Sequence, residues 1–274
     1  MIQDIFPLKF DNSYKNKEPK DSSIVLYFKD REVLVTGESN NIAFPTYKEV
    51  KDKLESYTYL FSIGDTKYFL AEDNLQEVLE GYEMKNIQLF RIAAPRYQAF
   101  AGITAFQLFN WYKNNKFCGR CGSKLEKDNK ERMLKCNHCN NMVYPKICPA
   151  VIVGVSNGDK LLMTKYAQAE YKKYALVAGF TEIGETIEET VKREVMEEVG
   201  LKVKNIRYYK SQPWSFTDTL LMGFFAEVDG DTSITRDEEE LAVAEWISRE
   251  DIDVEDTGLS LTNEMITKFK NKEI

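Results

Sequence analysis

Between Gly179 and Leu201 the chain carries a segment with one coherent local fold. Ile187, Val191, Val195 and Val199 recur every fourth residue, which lays four branched apolar side chains along one stripe of an α-helix. Thr186 followed three residues later by Glu189 has the pattern of a capping box, and Gly200 suits the position just past the helix end. On the predicted helix, Glu194, Glu197 and Glu198 stand at i, i+3 and i+4, so three carboxylates share one edge. Like charges at that spacing repel and cost stability unless a cation lies between them. Glu185, in the loop before the helix, and Arg193, beside Glu194, are placed to orient them. A solvated surface helix carries such an acidic edge too, so the helix alone does not choose between a metal site and a wet face.

Upstream, Cys118 and Cys121 form one Cys-x-x-Cys turn and Cys136 and Cys139 a second, with fourteen residues between the turns. Each turn aims two thiolates at one point, and two such turns close a tetrahedron around Zn²⁺ at Zn–S distances of about 2.3 Å. Four protein ligands fill the shell and leave no open position for a substrate, so the zinc is expected to be structural, one per chain. The total of five cysteines is odd and four are crowded together, which is not the pattern of a disulfide framework. His138, inside the second turn, is expected at the surface or behind the ligands. Cys148, in the apolar run Ile147–Val153, is expected to be an inert buried thiol.

Composition sets the surroundings. With 274 residues, 43% apolar and 30% charged, the chain is an ordinary folded protein of about two domains with room for a small module. No apolar run approaches the ~18–20 residues of a membrane span. The opening Met1-Ile-Gln-Asp-Ile-Phe lacks the basic region and apolar stretch of a signal peptide, so a cytoplasmic location and no membrane association are expected. A net charge of −7 weighs against broad electrostatic binding to nucleic acid. It leaves room for a phosphate-bearing substrate, because clustered carboxylates recruit Mg²⁺ or Mn²⁺ and reverse the local sign. Lys113, Lys116, Arg120 and Lys124 are a local basic exception. They support an alternative in which the ribbon binds RNA and the domain after it is inactive and regulatory.

Three zones follow. Residues 1–112 are rich in Tyr and Phe, with strand-like runs at Ile24–Phe28, Tyr59–Ile63 ahead of a Gly64–Asp65 turn, and Lys67–Leu70. The spacing of Phe106, Phe109 and Tyr112 predicts a helix over 101–112. No chemical motif stands out in this zone, which reads as a β-rich accessory or dimerisation domain. Residues 113–146 form the cysteine module. Residues 147–274 alternate strands with two helices, as in an α/β or α+β domain; α+β is the class expected for the whole chain.

Position by position, residues 179–201 match the Nudix box, Gly-x5-Glu-x7-Arg-Glu-U-x-Glu-Glu-x-Gly-U with U apolar. Gly179, Glu185, Arg193, Glu194, Val195, Glu197, Glu198, Gly200 and Leu201 fill the specified places. The chain therefore resembles the Nudix hydrolases. That resemblance implies an α/β/α sandwich and metal-assisted attack of water on a phosphorus of a nucleoside diphosphate linked to another group. A four-Cys zinc ribbon just upstream, behind a longer N-terminal region, is similar to the NADH pyrophosphatase branch. The branch implies an NAD(H) diphosphatase that yields nicotinamide mononucleotide and AMP, a homodimer, and a degenerate Nudix-like domain over 1–112. Some of its members also remove NAD caps from RNA, which uses the same bond. The nearest alternative within the family is a hydrolase of ADP-ribose or dinucleoside polyphosphates.

A second marker of the branch, Ser-Gln-Pro-Trp-Pro-Phe-Pro-x-Ser, stands here at Ser211–Thr219, with Ser215 and Thr217 in place of two prolines and Thr219 in place of the last serine. The resemblance implies that Ala178, through its carbonyl, and Glu194, Glu198 and Glu240 hold Mg²⁺ or Mn²⁺; Glu239 is the nearest rival to Glu240. It makes Glu197 a ligand or the base. It puts Tyr144, Gln212, Pro213, Trp214, Ser215, Phe216, Thr217, Asp218 and Thr219 against the dinucleotide, with Thr262 nearby. If this segment is extended, Trp214 and Phe216 point the same way and offer an aromatic platform to a base.

Overall fold

The computed structural model describes residues 1–15, 17–75, 79–167 and 173–274. They group into two units: one holds 2–146 with 215–217, the other Met1, 147–214 and 218–274.

The first unit opens with β1 (Phe10–Asp11), β2 (Ile24–Leu26), β3 (Phe28–Lys29) and β4 (Glu32–Val35). A helix α1 of one turn (Tyr47–Val50) precedes the hairpin β5 (Tyr57–Ile63) and β6 (Thr66–Ala71), then β7 (Glu83–Asn86) and the long α2 (Arg96–Asn114). One sheet has the order β1-β5-β6-β2, with β2 parallel to β6; the other has the order β3-β4-β7. The predicted strands are present, though the run Ile24–Phe28 breaks at Tyr27 into two sheets. The helix starts five residues before the predicted Ala101, directly after Pro95, whose fixed φ suits a helix start. Its first turns bury Ala99 and Phe100, which the spacing of later aromatics did not reveal.

The cysteine module closes this unit with β8 (Leu125–Lys127), β9 (Leu134–Cys136) and β10 (Met142–Val143), an antiparallel sheet in the order β10-β9-β8. Its small core joins Cys118, Leu125, Leu134 and Cys136 to Trp111 of α2. The Lys127 ammonium meets the Thr58 hydroxyl and the Glu72 carboxylate, and the Arg132 guanidinium donates to the Leu60 carbonyl.

The second unit is built on β11 (Cys148–Asn157), β12 (Lys160–Tyr166), β13 (Val177–Phe180), α3 (Ile187–Val199), β14 (Val203–Trp214), β15 (Thr219–Val228), β16 (Leu241–Ser248) and α4 (Leu261–Lys270). The sheet order is β14-β15-β11-β12-β16, with β13 pairing the first half of β11. β11 runs parallel to β15. Ala150 through Val155 are all buried, as in a central strand covered on both faces, which reads as a continuous apolar run. α3 packs Val191, Val195 and Val199 onto one side with Val151, Val153 and Phe224. α4 packs Leu261, Met265, Ile266 and Phe269 with Ile152, Leu161 and Phe225. The result is a mixed sheet between helices.

Candidate active site and zinc centre

The capping box forms as predicted: the Glu189 carboxylate accepts the Thr186 N–H at 2.8 Å, and the Glu189 N–H donates to the Thr186 hydroxyl at 3.3 Å. Gly200, at φ 70°, ends the helix in the left-handed conformation. Between these ends Arg193 works as the cation that the crowded carboxylates require. Its Nε and Nη2 donate to the two Glu185 oxygens at 2.5 and 2.9 Å. Its Nη1 donates to Glu194 and Glu197, each at 2.8 Å, and Nη2 also reaches the Phe180 carbonyl at 2.8 Å. This guanidinium holds the Glu185 carboxyl down at about 2. Thr190 adds a hydroxyl to Glu185 at 2.9 Å.

Glu198 sits outside that fan. It is buried, its Oε1 accepts the Ala178 N–H at 3.4 Å, and its Oε2 has no hydrogen-bond partner among the described residues. Burial, with the nearby charges of Glu194, Glu240 and Asp237, pushes its carboxyl up to about 8. Glu194 is also raised, chiefly by burial. A Cβ at Gly179 would overlap the Glu194 carboxylate, so only glycine lets that carboxylate lie against β13. A buried carboxylate oxygen without a donor is costly in a folded protein and is what a cation would satisfy. Glu194, Glu198 and the Ala178 backbone thus suit a divalent ion. Glu240 lies in the turn before β16, its carbonyl accepting the Ala167 N–H at 2.8 Å. Its charge acts on Glu194 and Glu198. Among the described residues these carboxylates do not draw together as tightly as the cysteines do.

The four sulfurs of Cys118, Cys121, Cys136 and Cys139 lie within 4.8 Å of one another. Cys118 and Cys139 are 3.6 Å apart and Cys121 and Cys136 3.5 Å. A tetrahedral Zn²⁺ with Zn–S of about 2.3 Å sets its sulfurs about 3.8 Å apart, so the group fits zinc. Cys148 stands apart at the start of β11, half-buried and not the fully buried thiol expected from its apolar run, because it lies at the strand's end; His138 is exposed.

The 212–219 segment departs from the expected platform. Pro213 and Trp214 end β14, Thr219 begins β15, and Ser215–Asp218 make a four-residue turn in which Asp218 has φ 57°. Phe216 is therefore in a turn, its ring buried beneath the Arg91 guanidinium at 4.5 Å, and it does not lie beside Trp214 on an extended strand. Gln212, Ser215 and Thr219 are buried as well, leaving Pro213, Trp214, Thr217 and Asp218 at least partly open. Thr262 occupies the first turn of α4. Tyr144 belongs to the first unit, where it is exposed and its hydroxyl donates to the Glu131 carboxylate at 2.9 Å. Lys113, one of the four basic ribbon residues, is paired with Asp30 at 2.8 Å.

Two residues near the acidic site escaped the sequence reading. Phe180 is 54% exposed directly after Gly179; an aromatic left out of a core next to the box is a signal that could have been used. Tyr166 follows an irregularity in the β12–β16 ladder. The residue is 37% exposed overall, yet desolvation and the charges of Glu198, Glu240 and Glu194 raise its hydroxyl. Ladder irregularities leave no mark in sequence.

Comparison with known proteins agrees with this geometry. The NUDIX domain family model matches residues 146–269, and the NADH pyrophosphatase zinc ribbon domain model matches 113–144. A protein of Enterobacter sp. (strain 638) named NAD-capped RNA hydrolase NudC is 43% identical over 192 residues, 69% of this chain and 70% of that protein. Proteins of the same name from Klebsiella pneumoniae (strain 342) and Salmonella typhi are 43% and 41% identical. Those matches span 51% and 53% of this chain, and 54% and 56% of the relatives' own length. Among the described residues no helix is long and apolar enough to cross a membrane. With a complete box, a zinc ribbon and these relatives, the chain belongs to the Nudix hydrolase family, in the branch that carries the NADH pyrophosphatase zinc ribbon.

Proposed function

We propose that this chain hydrolyses the pyrophosphate of NADH or NAD⁺ to nicotinamide mononucleotide and AMP, and the same bond in NAD-capped RNA. The observation that carries the reading is the buried Glu198 oxygen without a donor, set among carboxylates that Arg193 orders. The zinc ribbon and the relatives named for NAD-capped RNA hydrolysis support the choice of substrate.

Glu194, Glu198, Glu240 and the Ala178 carbonyl would hold Mg²⁺ or Mn²⁺. When bound, the ion neutralises charge on the phosphoryl oxygens and makes a water more acidic. The protein's own part is orientation. Arg193 keeps Glu194 and Glu197 from repelling each other, and Glu197, at the exposed edge, is placed to take a proton from the attacking water. The water oxygen bonds to one phosphorus as the bridging P–O bond breaks, leaving two monophosphates. Pro213, Trp214 and Asp218, more open residues of the marker within the second unit, would meet the dinucleotide, with Thr262. Residues 1–112 would form a degenerate Nudix-like domain and 113–146 the ribbon, in a homodimer, as in the branch.

The test is product analysis with NADH, NAD⁺, ADP-ribose and NAD-capped RNA in Mg²⁺ or Mn²⁺. Nicotinamide mononucleotide with AMP, or with 5′-monophosphorylated RNA, is expected. Turnover of ADP-ribose alone would move the assignment to another branch of the family.

A further inference from the structure

Gln212 stands second in the marker, yet it is 0% exposed. Its Oε1 accepts the Leu261 N–H at 2.7 Å and its Nε2 donates to the Leu259 carbonyl at 3.0 Å. Leu261 is the first residue of α4, and the first N–H groups of a helix have no partner inside it. The side-chain amide thus supplies what the helix cannot. Lower on the same strand, the Tyr209 hydroxyl and the Lys210 ammonium hold Glu264 of α4 at 2.8 and 3.0 Å.

α4 lies hard against the sheet at this end. A Cβ at Gly223 would stand 2.9 Å from Met265 Sδ and 3.2 Å from Leu261 Cδ2, closer than carbon and sulfur tolerate. Leu261 and Met265 share a buried cluster with Leu176 and Ile152, and Ala178 packs against that cluster. Ala178 donates its N–H to Glu198. A continuous line of packed groups therefore runs from the Gln212 amide, through the first turn of α4, to the strand that faces the metal-binding carboxylates.

We propose that Gln212 is a positioning residue: it does not touch the dinucleotide, but fixes the first turn of α4 and through it the placement of Ala178 against Glu198. The inference rests on the function proposed above for its catalytic readout only.

Gln212→Met keeps length and approximate volume and deletes both hydrogen bonds. Exchange of the Leu261 amide should speed at least ~10-fold and the melting temperature should fall by about 5 °C, because two buried backbone groups lose this partner. Mn²⁺ affinity should weaken, and kcat for NADH should fall about 10-fold with KM changed less than about 2-fold, the pattern of a misplaced site. Gln212→Glu provides the rescue. A neutral carboxylic acid reproduces both bonds, whereas a carboxylate repels the Leu259 carbonyl. Its melting-temperature gap from the natural protein should close as pH falls from about 8 to about 5. Among the described residues Lys210, Tyr209 and Glu264 pair beside this turn from β14 and α4, with the charges of Glu273 and Asp256 acting on Tyr209; they are common to both proteins and cancel in the gap.

A Gln212→Met protein with natural stability and Leu261 exchange, but a several-fold higher KM for NADH, would place Gln212 on the substrate and overturn the proposal. A Gln212→Glu gap that stays constant over that pH range would overturn it as well. Should the natural protein fail to hydrolyse NADH, the functional reading falls, while exchange, melting and Mn²⁺ affinity still decide the role of Gln212.

Discussion

The two units share a strand plan and differ in the helix set inside it. In the first, β2 runs parallel to β6, the second strand of a later hairpin; in the second, β11 runs parallel to β15 in the same way. An antiparallel pair joins β4 to β7 and β12 to β16, and a 3₁₀ turn then leads towards α2 in one unit and α4 in the other. Between these parts both units start a helix with Thr-x-x-Glu, at Thr46–Glu49 and at Thr186–Glu189. α3 continues for 13 residues, whereas α1 stops after 4 and passes into a 3₁₀ turn at Lys51–Lys53. Eight residues past the cap, where α3 has Glu194, the first unit has Leu54, buried in an apolar cluster. The same plan thus surrounds a carboxylate site in one unit and an apolar core in the other. What separates the two units is the length and residues of one helix within a common strand plan.

The sharpest way to break that contrast is to remove the charge that defines it. Glu198→Gln keeps shape and helix propensity, and turnover should fall by about 10²–10³-fold, as when a comparable electrostatic group is lost. Near-normal hydrolysis would show that α3 is no more catalytic than α1. The same residue should mark the pH dependence of the protein with zinc retained and no Mg²⁺ or Mn²⁺ added. Its folded carboxyl titrates at about 8 against an ordinary 4.5, so across that window the folded state holds a proton that the unfolded state has lost. Stability should therefore decline as pH rises between these values and level off above the higher one. Melting curves of Glu198→Gln should lose most of this slope. An unchanged slope would assign it to other groups.

What was legible in the sequence follows the same division. α3 and the zinc module are local: caps, apolar stripe, Arg193 and the Cys-x-x-Cys turns all lie within about twenty residues of their partners. The plan of the first unit is not local, because β2 meets β6 across more than forty residues and no motif records that pairing. The Thr46–Glu49 box was there to be read, but no apolar period follows it. The platform of Trp214 and Phe216 failed because alternation holds only for extended backbone, and the chain turns at Ser215. The burial of Gln212 came from α4, nearly fifty residues away in sequence.

The shared plan can be sharpened by equal cuts in equivalent strands. Leu34 of β4 and Leu162 of β12 are buried to 0% and 1% exposure in the cores of their units. Truncating either to alanine should cost about 2–5 kcal/mol in its own unit, through lost burial and the cavity left behind. Calorimetry should register both losses. Below the melting transition, kcat should drop only in Leu162→Ala, whose core also packs Val191 and Val195 of α3. Equal loss of kcat from Leu34→Ala would show that catalysis does not depend on the α3 core in particular.

The smallest expected effect compares the two helix starts. At α3, Thr186 both accepts the Glu189 N–H and donates to its carboxylate, at 3.3 and 2.9 Å. At α1, Thr46 donates to Glu49 at 2.6 Å, and its N–H reaches the same carboxylate at 2.8 Å, but α1 has only one turn to stabilise. A cap matters in proportion to the helix it satisfies, and Thr→Ala at a working N-cap typically costs about 1 kcal/mol. Thr186→Ala should show a loss of about that size, and Thr46→Ala no more than a few tenths, since its backbone N–H to Glu49 survives the substitution. Denaturant titrations of the two variants decide it. A larger loss for Thr46→Ala would mean that the one-turn helix holds its unit together more than its length implies, and that the two units use their caps alike.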